Sequence, residues 1–163
     1  MADKAVSFGD RGEWYVVAQF VMLGLIAAVP FTAWHWPLIP GDAGSAIRVT
    51  GLMMLLIGLG VVNVGLLSLG WNNLTALPYP RRRAEFVGEG AYRYVRHPIY
   101  SGVLLSAAGW ALLANDLLSL LLTAVLFLLL DRKADREEKW LRAKYPAYAD
   151  YQKRVHKLIP WLY

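Results

Sequence analysis

Gly90-Ala91-Tyr92-Arg93-Tyr94-Val95-Arg96-His97-Pro98-Ile99-Tyr100 is the stretch on which the fold turns, because it carries a basic polar loop into a hydrophobic helix. Pro98 suits the first turn of that helix, where its missing N–H would be unpaired anyway. A residue before proline is pushed to an extended conformation, so His97 is predicted to lie just outside the helix. Arg96 and His97 then sit at a helix N-terminus, where free N–H groups attract anions. Read alone, the stretch fits a basic membrane-flanking anchor as well as a binding site.

The surrounding chain narrows the choice of solvent. Of its 163 residues 57% are hydrophobic, with seven Trp and nine Tyr, and its long uncharged runs exclude an ordinary soluble domain. A single integral membrane domain over residues 1–163 is expected. The net charge of +5 is concentrated in two basic blocks beside apolar segments, a pattern of cytosolic membrane surfaces rather than of nucleic-acid partners. With no cysteine, disulfides, thiol catalysis and thiolate metal sites are excluded, and no metal site is expected. Asp3, Asp10 and Glu13 precede a first apolar run long enough to stay in the membrane, which argues against a cleaved signal peptide.

Four spans are predicted. Trp14 to Trp34 is free of charge, and its 21 residues at about 1.5 Å each cross a hydrocarbon core of about 30 Å. A loop with Pro37, Pro40 and Gly41 follows, from His35 to Ala46. The second span covers about 49–70, opening between Ile47 and Val49. In it Gly51, Gly58 and Gly65 recur every seven residues, a smooth stripe that lets another helix approach closely. Asn63 lies deep in this span, and an interhelical hydrogen bond or a ligand contact would each explain it. The loop that follows holds Arg81, Arg82, Arg83, Arg93 and Arg96, with Pro78 and Pro80 as helix breakers and Gly88-Glu89-Gly90 as a turn. Residues 98–114 and 117–130 form two short apolar helices separated by Asn115-Asp116, hence a tight antiparallel hairpin, or re-entrant helices. The second continues through 131–143. Lys and Arg are missing from the loops after spans one and three and abundant elsewhere, so both termini are expected in the cytosol. The fold class is thus all-α: a polytopic membrane protein with about four transmembrane helices and a cytosolic C-terminal helical extension.

That extension carries a misplaced carboxylate. Asp135 with Lys139, and Glu138 with Arg142, have the i,i+4 spacing of solvated ion pairs. Glu137 does not fit this pattern. Leu130, Ala134, Glu137 and Leu141 fall within about 60° on a helical wheel, so Glu137 lies in the apolar stripe. An inward carboxylate is costly unless a cation meets it. Lys133, one turn earlier on nearly the same face, would give a structural pair, and a cationic ligand is the alternative; Arg132 points elsewhere. The hairpin returns the chain to the side it left, so the Arg96-His97 loop and Glu137 are expected to face each other at one membrane surface. The tail Arg154–Trp161 mixes basic and aromatic residues and reads as an interfacial anchor.

Two segments together resemble the isoprenylcysteine carboxyl methyltransferase family. They are Tyr92-x-x-x-Arg96-His97-Pro98-x-Tyr100, and Glu137-Glu138 followed by Tyr145-Pro146-x-Tyr148-x-x-Tyr151-x-x-Arg154-Val155. The phospholipid N-methyltransferases are related and share the basic loop and paired glutamates. The resemblance covers roughly residues 50–160 and leaves the first span undiagnosed. It implies a helical membrane protein that binds S-adenosylmethionine at the cytosolic face, releases S-adenosylhomocysteine, and takes a lipophilic acceptor from the bilayer. Under it the cytosolic cofactor region is 81–100 with 131–160. Phe86, Val87 and Tyr92 flank the cofactor, Arg96 sits beside it, and His97-Pro98-Ile99-Tyr100 wrap its adenosine and methionine parts. Glu137 pairs with its ammonium. The family's arginine near the reacting group is replaced by Lys133, with Arg132 beside it, and the two residue types are not equivalent toward a carboxylate. Ala91 stands where a proline is common.

The reaction implied is displacement at a sulfonium methyl by an O, N or S nucleophile, with positioning and water exclusion as the protein's contribution. A carboxylate or thiolate acceptor needs no base; for an amine or phenol, His97, Glu137 or a tyrosine could serve. Two rival readings carry different partners. One is a sterol-reductase-like membrane enzyme using NADPH, against which the small size argues. The other is a non-catalytic membrane protein that binds anionic lipid. The acceptor and the oligomeric state are not specified by the sequence.

Overall fold

The structure, a computed structural model, describes residues 9, 11–39, 44–79 and 84–163. Asp3, Asp10, Pro40, Gly41, Pro80 and Arg81–Arg83, on which readings above bear, lie outside the described residues. Among the described residues five α-helices follow in order: α1 Glu13–Ala28, α2 Gly44–Leu69, α3 Pro98–Leu113, α4 Leu117–Lys144 and α5 Tyr148–Arg154. One 3-10 turn, Val29–Phe31, extends α1, and another, Gly90–Arg93, precedes α3. No strand is formed among the described residues.

The first span ends earlier than its composition suggests. Pro30 falls in the closing 3-10 turn, and Thr32 is already extended. The proline also frees a carbonyl, because residue 30 has no N–H to offer Ile26 four residues before it. Two other helices meet that need: Trp110 Nε1 donates to the Ile26 carbonyl at 3.1 Å and Ser119 Oγ at 3.2 Å. The defect therefore pins α1 to α3 and α4. Ile26, Ala107, Leu126 and Leu130 form the core between these helices.

The second span begins earlier than expected, at Gly44, and reaches Leu69. Its glycine stripe packs against antiparallel α3 at backbone contact. A Cβ built on Gly51 would lie 2.3 Å from the Leu113 nitrogen, and one on Gly58 2.5 Å from that of Ser106. Helix α3 answers with its own pair seven apart: a Cβ on Gly102 would lie 2.7 Å from the Gly58 carbonyl oxygen, and one on Gly109 2.3 Å from the Leu55 nitrogen. Asn63 makes no hydrogen bond to another helix among the described residues; its amide donates to the Leu59 carbonyl of its own helix at 2.8 Å.

Helices α3 and α4 form the antiparallel hairpin. Asn115 takes a left-handed φ of 53° to turn the chain. Asp116, fully buried, caps α4 by accepting from the Ser119 N–H at 2.6 Å. The same carboxylate accepts from the Trp36 N–H at 2.9 Å and lies 3.1 Å from His35 Nδ1, which clasps the first loop onto the turn. Helix α4 then runs without a break to Lys144, about 42 Å in all. Helix α1 lies antiparallel along it, Ile26 meeting Ser119 and Gln19 meeting Lys133.

The C-terminal tail is built into the fold. Its strand-like residues pair with the stretch before α3: the Arg96 N–H donates to the His156 carbonyl at 2.8 Å and the His97 N–H to that of Lys157 at 3.1 Å. These N–H groups are therefore occupied and not open to an anion. Lys157 and Leu158 are buried, whereas Arg154, His156, Ile159, Trp161 and Leu162 face outward.

Candidate active site

Pro98 opens α3 and leaves His97 outside it, at φ −128° and ψ 63°. That places the Arg96 and His97 side chains against the part of α4 beyond its apolar half, and their shared partner is Glu138. Arg96 Nε donates to Glu138 Oε1 at 2.7 Å, and His97 Nε2 lies 3.1 Å from the same oxygen. Gln152 of α5 donates to the second oxygen at 2.5 Å. Burial opposes ionisation of Glu138, but the hydrogen bonds and charges of His97 and Arg96 outweigh it and hold the carboxyl down at about 2. The i,i+4 pairs expected along α4 give way to these longer-range partners. Glu138, 3% exposed, serves Arg96 and His97, and Asp135 accepts from Lys157 at 2.6 Å. Lys157 also bonds Asp131.

Glu137 faces the other way, into a cavity. His97 stacks on Tyr100, ring centroids 5.2 Å apart and planes 6° from parallel. The Tyr100 hydroxyl donates to Glu137 Oε2 at 2.8 Å. His97 Nδ1 is 3.8 Å from that oxygen, so the imidazole lies between the two glutamates. Lys133 closes no ion pair with Glu137. Its Nζ donates to Gln19 Oε1 of α1 at 2.7 Å and sits 5.0 Å from the centre of the Tyr100 ring. Burial pulls the Lys133 ammonium down to about 8, partly offset by the charge of Glu137.

The far wall is aromatic. Phe86 packs edge-on against Tyr148 and Tyr151, centroids 6.0 and 5.2 Å away. Its segment is anchored where the Tyr145 hydroxyl and Lys144 Nζ donate to the Ala84 carbonyl. The Tyr151 hydroxyl donates to the Tyr92 carbonyl. Burial first, then the negative charges of Glu137 and Glu138, pushes the Tyr148 phenol up; burial and Glu137 do the same to Tyr92. The Tyr148 hydroxyl is buried and lacks a hydrogen-bond partner. Together these groups enclose about 580 Å3, within the range of cavities that hold a small-molecule ligand.

The sequence profile of the phospholipid methyltransferase family matches residues 46–148, more than half of the chain. The chain belongs to that family. Family membership and two helices long and apolar enough to cross a bilayer, Glu13–Phe31 and Gly44–Leu69, make it an integral membrane protein. A probable protein-S-isoprenylcysteine O-methyltransferase of Oryza sativa subsp. indica is 28% identical over 71% of this chain and 62% of its own length. The cobalt-zinc-cadmium resistance protein CzcN of Cupriavidus metallidurans is 28% identical over 93% of this chain and 63% of its own. The chain thus spans less than two thirds of the curated relatives it matches. A solved eukaryotic intramembrane Ras methyltransferase, isoprenylcysteine carboxyl methyltransferase, has the same fold. Its TM-score is 0.64 at 21% identity, over 97% of this chain and 55% of that one.

The profile match encloses most of the cavity. Phe86, Val87, Tyr92, Arg96, His97, Ile99, Tyr100, Lys133 and Glu137 all line it. Pro98 does not; it is buried on the opposite side of α3, against Gly65 of α2. Arg132 is also elsewhere, its side chain 72% exposed and set beside Asp131 and Asp135. Three contributors escaped the sequence reading. Glu138 had the spacing of a surface ion pair, Tyr148 was noted only as part of a motif, and Gln19 lies in a span that the family resemblance left unread. The available signal for Gln19 was its being the sole polar residue between Tyr15 and Thr32.

Proposed function

We propose that this protein transfers a methyl group from S-adenosylmethionine to a lipophilic acceptor held in the bilayer, at the cytosolic membrane face. The observation that carries the reading is Glu137, a carboxylate 27% exposed that faces the cavity with one hydrogen bond, from Tyr100, and no ion pair with Lys133. Its remaining lone pairs suit the ammonium of an amino-acid moiety. The unpaired Tyr148 hydroxyl suits a second polar atom of the same ligand.

When bound, S-adenosylmethionine supplies an electrophilic methyl group on a sulfonium. Phe86, Val87 and Tyr92 would flank its adenosine, with His97, Ile99 and Tyr100 at the start of α3. Glu138 and Arg96 act behind them by fixing His97. Val16 and Phe20 of α1 and Leu66 and Leu69 of α2 line the same cavity, and this apolar side suits an acceptor arriving from the lipid. Four spans, with the apolar half of α4 as the fourth and both termini cytosolic, complete the proposal and put the cavity at the membrane boundary.

Calorimetric titration of the detergent-purified protein with S-adenosylmethionine and S-adenosylhomocysteine tests it. Glu137→Gln should weaken both at least tenfold, since a charge-assisted contact contributes about 1.5–3 kcal/mol. Failure of the folded protein to bind either compound refutes the reading, and nicotinamide dinucleotides and anionic lipids are then the ligands to titrate.

A further inference from the structure

We propose that Lys133 is the base that takes the proton from the acceptor, and that Gln19 of α1 is the positioning residue that holds it for this task. The inference rests on the methyltransferase reading and narrows its acceptor to a nucleophile that arrives protonated: a thiol or a phenol on an apolar chain.

The geometry is unusual for a lysine. Its side chain is 2% exposed, yet it lines the cavity and no carboxylate lies within hydrogen-bond reach. Gln19 Oε1 takes one N–H at 2.7 Å, and the Tyr100 ring lies beneath the nitrogen at 5.0 Å. An amide oxygen accepts from a neutral amine as well as from an ammonium and, carrying no charge, favours the ammonium far less than a carboxylate would, so Gln19 holds the nitrogen in either state. A carboxylate in that place would lock the ammonium. The other groups facing the site are already engaged. Glu137, one turn along α4, accepts from Tyr100 of α3; His97 is held by Glu138; α1 presents only the uncharged amide. Burial lowers the Lys133 ammonium to about 8, so about a tenth of it is neutral at pH 7, far more than for an ordinary lysine. A lysine at this place can lose a proton, which an arginine could not.

The lone pair of the acceptor S or O forms the bond to the methyl carbon, and the carbon–sulfur bond breaks with its electron pair returning to sulfur. The acceptor's proton passes to Lys133 Nζ and later to solvent.

Two measurements test this, the first without turnover. The protein in lipid nanodiscs is labelled with acetic anhydride between pH 6 and 11, and acetylation of Lys133 and of the exposed Lys153 is followed by mass spectrometry. Lys133 should become reactive around pH 8, with the exposed Lys153 as the internal reference. Gln19→Glu should raise the Lys133 midpoint by at least about one unit, and Gln19→Leu should leave it low. A Lys133 midpoint coincident with that of Lys153, no labelling at any pH, or no shift in Gln19→Glu overturns the proposal. The second measurement offers dodecanethiol, 4-nonylphenol and dodecanoic acid as acceptors. Thiol or phenol methylation should rise with pH through the Lys133 midpoint. Lys133→Arg should lower kcat about 100-fold or more with KM and S-adenosylmethionine affinity little changed. Full activity in Lys133→Arg overturns the proposal. So does methylation of dodecanoic acid alone, or of none of the three, by protein that binds S-adenosylmethionine. Absence of that binding in the wild type instead refutes the methyltransferase reading, which the calorimetry identifies separately.

Discussion

Glu138→Gln should destabilise the folded protein by about 2–3 kcal/mol near neutral pH, and the reason lies in three partners sharing one buried carboxylate. Its two oxygens take Arg96, His97 and Gln152 within 2.5–3.1 Å, in a residue 3% exposed. The depression from 4.5 to about 2 corresponds to about 3 kcal/mol, which some water access at the rim reduces toward 2. The sign follows from the direction of the shift. A carboxyl lowered in the folded state stabilises above its unfolded value and loses that contribution as pH falls through the folded one. The gap between wild type and Glu138→Gln should therefore be constant above about pH 5 and close progressively between 4.5 and about 2. Thermal and denaturant unfolding in a mild detergent at several pH values measures it. Removing the charge on both sides, in Arg96→Met with Glu138→Leu, should recover part of the loss, since a buried ion pair is harmful chiefly when half of it remains. A Glu138→Gln protein within about 0.5 kcal/mol of wild type at pH 7, or a gap that does not narrow in acid, would refute the reasoning.

Other parts of the fold make separate predictions. Gly58→Ala forces a methyl group into the α3 backbone and should cost about 1–3 kcal/mol, whereas Gly60→Ala, where no atom lies within 4 Å, should be neutral or slightly stabilising; paired melting curves decide. Arg132→Ala should bind S-adenosylmethionine within about twofold of wild type by calorimetry, because the side chain points away from the cavity toward Asp131 and Asp135. Lys157→Met should destabilise by about 2–4 kcal/mol in denaturant unfolding, since it leaves the buried Asp131 only the largely exposed Arg132 and the Tyr163 hydroxyl. Hydrogen bonds and charges from Asp131 and Asp135 overcome burial to raise the Lys157 ammonium above its ordinary 10.5. Its contribution should thus be complete below that value and vanish only in stronger alkali.

Local regularities were legible in the chain because a helix converts spacing into direction. The seven-residue recurrence of Gly51, Gly58 and Gly65 required one smooth face, and that face receives α3. Pro98 fixed the start of α3 and left His97 outside, and the apolar wheel turned Glu137 inward before any partner was known. The uncharged runs demanded a lipid environment. Pro30, by contrast, ended the first helix inside an unbroken apolar run, where composition gives no warning and the missing N–H does.

What only the tertiary structure decided is which faces meet. Spacing along α4 offers Glu138 a neighbour at i+4, but its energy depends on Arg96 and His97 arriving from a loop some forty positions away and burying it. Lys133 likewise had Glu137 within reach, yet α1 lies alongside and offers Gln19. Its consequence, a buried amine held by a neutral amide, belongs to no single segment. Periodicity is a property of one helix and survives in the sequence. Desolvation and the choice of hydrogen-bond partner are properties of the space between helices, and they come into being only when the helices pack.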